Sequence, residues 1–124
     1  MELDTPYVHL RIKDNILVGT YKKNLRIDLE IAKSIVSTRL SFTGGKKMPS
    51  LILSQGVVSI DKPAREYLAS DEAIDGLLAS AIIVNSPFSS YLGNFFLAVN
   101  KTKLPVKIFS TIPPAERWLQ QFLI

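Results

Sequence analysis

The sequence predicts an α/β domain built on a mixed, mostly parallel sheet, with elements in the order β-β-α-β-α-β-α-β-α. Three observations carry this. Apolar and polar residues alternate at the start of the chain. Apolar residues then recur at helical spacing in segments opened by capping residues, and short continuous apolar runs stand between those segments. Strands alternating with helices after a hairpin imply parallel pairing through right-handed crossovers. A chain of 124 residues is long enough to bury a core without staples, and one domain spanning 1–124 is expected.

The elements follow in order. From Tyr7 to Lys13, Val8, Leu10 and Ile12 alternate with polar neighbours, as in a half-buried strand. Asp14-Asn15 tolerates left-handed backbone, so Ile16 to Tyr21 returns as the second arm of a hairpin. Asp28 can cap a helix in which Leu29, Ala32, Val36 and Leu40 repeat at helical spacing to about Phe42, and Gly44-Gly45 ends it. Leu51-Ile52-Leu53 after Pro49 reads as a strand covered on both faces. Asp61-Lys62-Pro63 opens a second helix with Ala64, Tyr67 and Leu68 inward, and Ser70-Asp71-Glu72 starts a short further turn that closes near Gly76. Leu77 to Val84 is the most apolar stretch and is read as a central strand. Ser86-Pro87 opens a helix to about Val99, Val106 to Phe109 forms the last strand, and Pro113 or Pro114 opens a terminal helix carrying Trp118, Leu119 and Phe122.

Composition narrows the function classes. With no cysteine and one histidine, disulfides are excluded and a structural zinc site nearly so. The start, Met1-Glu2-Leu3-Asp4, has neither a basic nor an apolar leader region, and no apolar stretch reaches the ~20 residues of a membrane span. The net charge of +4 is spread over Lys22-Lys23, Lys46-Lys47 and Lys101/Lys103, each near a turn or element end. Such lysines solubilise loops, and no nucleic-acid partner is expected.

Two stretches carry a family likeness: Ser59-Ile60-Asp61-Lys62-Pro63-Ala64-Arg65-Glu66-Tyr67-Leu68-Ala69, and Ser86-Pro87-Phe88 through Gly93-Asn94-Phe95-Phe96-Leu97. With the element order, they resemble the SpoIIAA-like fold shared by STAS domains, and a family of uncharacterised small bacterial proteins given that fold. With the start and apolar stretches read above, the simplest expectation is a cytoplasmic, bacterial-style domain. In STAS antagonists a serine or threonine in an Asp-Ser-Ser-Gly-like segment is phosphorylated to break partner binding. The matching loop here, Gln55 to Pro63, contains Ser59 but not that segment.

Ser59 is therefore a candidate phospho-acceptor, with Asp61 beside it as a loop residue that caps a helix and would repel phosphate. His9 lies on the polar face of the first strand with no partner near in sequence. Gly44-Gly45-Lys46-Lys47 lacks phosphate-loop spacing and reads as a helix end. On the helix after Ser86, Phe88, Tyr91, Leu92, Phe95 and Phe96 make an apolar stripe wider than one core-facing side requires, and Gly93 suggests close backbone approach. That helix is a candidate dimer contact or pocket wall. Tyr7, Leu17 and Tyr21, expected on the outer face of the hairpin, form a second candidate surface.

No catalytic constellation is legible, so a non-enzymatic protein without a cofactor is expected. The leading reading is a STAS-like interaction or regulatory module acting on a protein partner or as a homodimer. The alternative is a carrier or sensor for an apolar or anionic ligand such as a lipid. An enclosed, partly apolar cavity would favour the carrier, and a flat exposed apolar patch the partner module.

Overall fold

A computed structural model describes residues 1–54, 56–84 and 104–123. The alternation at the start of the chain becomes a hairpin of β2 (Val8–Lys13) and β3 (Ile16–Tyr21), preceded by a short strand β1 (Glu2–Asp4) that pairs antiparallel with β2. Asp14 and Asn15 take φ of 53° and 65°, the left-handed pair that a two-residue hairpin turn demands. After β3 the chain crosses over through β4 (Leu25–Ile27) and helix α1 (Leu29–Thr43) to β5 (Met48–Leu53), which lies parallel to β3. A second crossover, through β6 (Val57–Ile60), α2 (Lys62–Leu68) and α3 (Asp71–Ile74), reaches β7 (Leu77–Ile83), parallel to β5. Strand β8 (Val106–Phe109) pairs parallel with β7, and helix α4 (Ile112–Gln120) follows. The main sheet runs β1-β2-β3-β5-β7-β8, while β4 and β6 form a separate parallel pair.

The caps are those the sequence offers. Asp28 accepts the Ile31 amide at 2.8 Å, Asp61 the Ala64 amide at 2.9 Å, and Ser70 the Ala73 amide at 3.3 Å. Gly44 ends α1 at φ 63°, returning its amide to the carbonyls of Leu40 and Ser41. Pro49 lies inside β5, where its missing amide falls at a register shift between Met48 and Ser50 against β7.

The sheet is covered on both sides. Against α1 and α2, Val8, Leu10 and Leu17 pack with Ala32, Ile35, Ile60 and Ala64. On the opposite face, Ile16, Val18, Leu51, Ala79, Ala81 and Ile83 pack with Ala115 and Leu119 of α4. There Trp118 bridges Phe109 and Phe122 with ring centroids 5.9 and 4.9 Å apart.

Three strands go beyond the sequence reading. β1 is exposed at all three residues and carries no apolar pattern, and β4 is too short to show one. The expected loop from Gln55 to Pro63 is corrected over Val57–Ile60, which forms β6 by pairing with β4. The helix expected from Ser86 to Val99 lies outside the described residues. Among the described residues, no helix is long and apolar enough to cross a membrane.

Candidate functional site

The pleat decides which side chains meet α1. In register across the sheet, Ile12, Leu17, Ser50, Ser80 and Val106 form one row on this face, and Leu10, Gly19, Ile52 and Ile82 the next. Both rows lose bulk near the middle, to Ser50 and Ser80 in one and to Gly19 in the other. A cavity of about 150 Å³ opens above them. Its floor includes Leu17, Gly19, Ser50, Ile52, Ser80 and Ile82, and α1 contributes Ile35, Val36 and Arg39 to the walls. Leu68 of α2 and Ala73 and Ile74 near the end of the second crossover close another side.

The polar groups in this lining are few and mostly satisfied. Ser50, fully buried, donates to the Ser80 hydroxyl at 3.0 Å, and Ser54 donates to the Ile83 carbonyl at 2.9 Å. These hydroxyls spend their donors inside the sheet. Arg39 and Tyr21 differ. The Arg39 guanidinium donates to the main-chain oxygen of Asp75 at 2.6 Å, and among the described residues no carboxylate comes within ion-pair distance of it. Burial lowers its pKa from the ordinary guanidinium range, while Tyr21, Asp75 and Tyr67 pull it back up. Burial raises the pKa of the Tyr21 hydroxyl, and the Arg39 charge opposes that rise. Tyr21 is therefore a neutral O–H, able to donate, near a half-buried cation.

The other sequence candidates fall elsewhere. Ser59 sits half-buried in β6, opposite Arg26 of β4, and the Asp61 carboxylate is engaged at the α2 cap. Arg65, next along α2, donates to the Ile60 carbonyl at 2.5 Å. The expectation that Leu17 faces outward is overturned: it is 1% exposed and belongs to the α1-side core. Tyr7 and Tyr21 are partly buried against that same core, and Leu17 and Tyr21 line the cavity. The hairpin has no bare apolar face, because Ile16 and Val18 on its other side are buried as well. Phe88, Tyr91, Leu92, Phe95 and Phe96 lie outside the described residues. His9 is not without partners, since β1 brings Glu2 to its Nε2 at 3.1 Å and Asp4 to its Nδ1 at 3.3 Å.

Sequence reasoning passed over Gly19, Arg39, Ser50 and Ser80. Each left a signal: a glycine within an apolar strand, serines within apolar strands, and an arginine among the inward positions of a helix.

Comparison with known proteins adds fold and family. A family model described as "Domain of unknown function (DUF7793)" matches residues 10–123. No curated protein matches the chain. Among solved structures, the chain is similar to an uncharacterised protein of the DUF3478 family with a SpoIIAA-like fold from Shewanella loihica PV-4. The TM-score is 0.64 at 15% identity, over 94% of this chain and 98% of that one. At that identity the likeness speaks for the fold alone.

Proposed function

We propose that this chain, which belongs to the DUF7793 family of domains of unknown function, is a non-enzymatic binding module that takes a small, largely apolar molecule between its sheet and α1. The cavity carries this reading. Its walls are almost wholly apolar and it opens to the surface, so a molecule entering it would bury apolar area at roughly 25 cal/mol per Å². Gly19 supports the same reading: a glycine inside a strand weakens the strand, and such positions recur where a ligand approaches closely.

The interaction-module reading calls for an exposed apolar face. Among the described residues the large exposed apolar side chains are Met1, Leu3 and Ile112. Leu3 sits on β1, an edge strand of three residues flanked by the charges of Glu2 and Asp4, features that discourage strand pairing with a partner.

Native mass spectrometry on protein gently purified from its own host, beside Gly19→Ala and Gly19→Val variants, tests the proposal. A discrete small-molecule adduct on the wild type, weakened by alanine and lost with valine while the circular dichroism spectrum is retained, is the expected result. An unmodified wild-type mass under conditions that preserve non-covalent adducts would count against the binding reading, and an unmodified dimer mass would redirect attention to self-association.

A further inference from the structure

The polar contents of the cavity specify its ligand more closely. We infer that the cavity is a site for a small monocarboxylate with an apolar body of roughly benzene size, its carboxylate held by Arg39 and Tyr21. This deepens the binding reading above and rests on it. Arg39 is the only charged residue among the described lining, and its single described hydrogen bond goes to a main-chain oxygen, that of Asp75. A guanidinium has five N–H donors in a planar fork, so donors remain for a ligand. The Arg39 head is half-buried beside apolar walls and solvent reaches it, so a bound anion would take charge-assisted hydrogen bonds from the donors left over. Tyr21 lines the same cavity as Arg39 and adds a neutral hydroxyl donor to it.

Charge and size narrow the class. One cation balances one negative charge, which favours a carboxylate over a doubly charged phosphate. A space of about 150 Å³ is one that in other protein interiors accepts benzene, so an aryl or short branched alkyl body fits. The acid that acts on Arg39 through space, Asp75, offers it a backbone carbonyl rather than a carboxylate oxygen.

Titration calorimetry with benzoate, benzyl alcohol and phenyl phosphate tests this on the wild type, Arg39→Met, Arg39→Lys and Tyr21→Phe. Benzoate is expected to bind the wild type at least about tenfold more tightly than benzyl alcohol, the usual worth of a charge-assisted hydrogen bond. Arg39→Met should erase that preference while leaving benzyl alcohol within about twofold, and Tyr21→Phe should weaken benzoate by roughly threefold to tenfold. Arg39→Lys keeps the charge without the fork and should fall between wild type and methionine. Benzyl alcohol binding as well as benzoate, or phenyl phosphate binding more tightly than either, would overturn the carboxylate assignment with the cavity still a binding site. Failure of all three probes on the folded wild type would overturn the binding reading itself.

Discussion

At Gly19 the third strand gives up a side chain where its in-register neighbours, Leu10 and Ile52, keep theirs. A methyl there would meet Leu10, Ile52 and Val8 carbons at 3.5–3.8 Å, ordinary contact distances. Gly19→Ala should therefore stabilise the protein, by about 1 kcal/mol in urea unfolding, through buried methyl surface and reduced backbone entropy in the unfolded chain. Gly56 is the opposite case. A Cβ at that position would overlap the Lys22 carbonyl and lie 2.8 Å from the Tyr21 carbonyl oxygen, both backbone atoms that cannot swing aside. Gly56→Ala should cost on the order of 2–4 kcal/mol in the same experiment. Asp4 supplies a pH signature. The Lys22 ammonium hydrogen-bonded to its carboxylate, with His9 adding to the effect, holds its pKa below the ordinary value. A folded-state pKa below the unfolded one gives stability that is present above about pH 4 and fades as pH falls through the lower folded value. The stability gap between wild type and Lys22→Ala, small because the pair is exposed, should accordingly be present near neutral pH and close in strong acid.

At the scale of elements, the helices were legible because their signals are local. Asp28, Asp61 and Ser70 each cap the helix that the sequence places after them, and Gly44 stops α1 where a glycine pair marks it. Asp28→Ala should cost about 1 kcal/mol, with lost helical ellipticity on mild heating. The strands divide by how they are held. β2, β3, β5, β7 and β8 belong to the main sheet and show as apolar segments, whereas β4 and β6 exist through each other: Leu25, Arg26 and Ile27 find partners in Val57, Ser59 and Ile60 across a long sequence gap. No local rule predicts that pairing, so Ser59 read as loop. The cavity was hidden for a related reason. Ser50 and Ser80 look like polar interruptions in separate strands, and only the β5–β7 register sets their hydroxyls 3.0 Å apart beneath α1. Ser50→Ala and Ser80→Ala should each cost about 1 kcal/mol, while the double variant should cost less than their sum because neither hydroxyl is left without its partner. A double-mutant cycle in urea measures this.

At the scale of the whole molecule, the described residues pack the two faces of the sheet to different standards. Under α4, Ala79 and Ala81 let Ala115 and Leu119 approach until all four are essentially inaccessible, and Trp118 fills the edge between two phenylalanines. Under α1 the equivalent thinning, Gly19 with Ser50 and Ser80, is not matched by bulk from α1, α2 or α3, and among the described residues space remains. Leu17 shows what the sequence could not say. Alternation placed it opposite Ile16 and Val18, but which side was core was undecidable until both proved covered. The central claim is that the space on the α1 side admits an apolar molecule, and nuclear Overhauser effects between benzene and the methyl groups of the labelled protein test it most directly. The account predicts saturable contacts to the methyls of Leu17, Val36, Ile52 and Ile82, with none to Ile16, Leu51 or Ile83 on the opposite face. Contacts spread over both faces, or absent from the α1 side at saturating benzene, would contradict it.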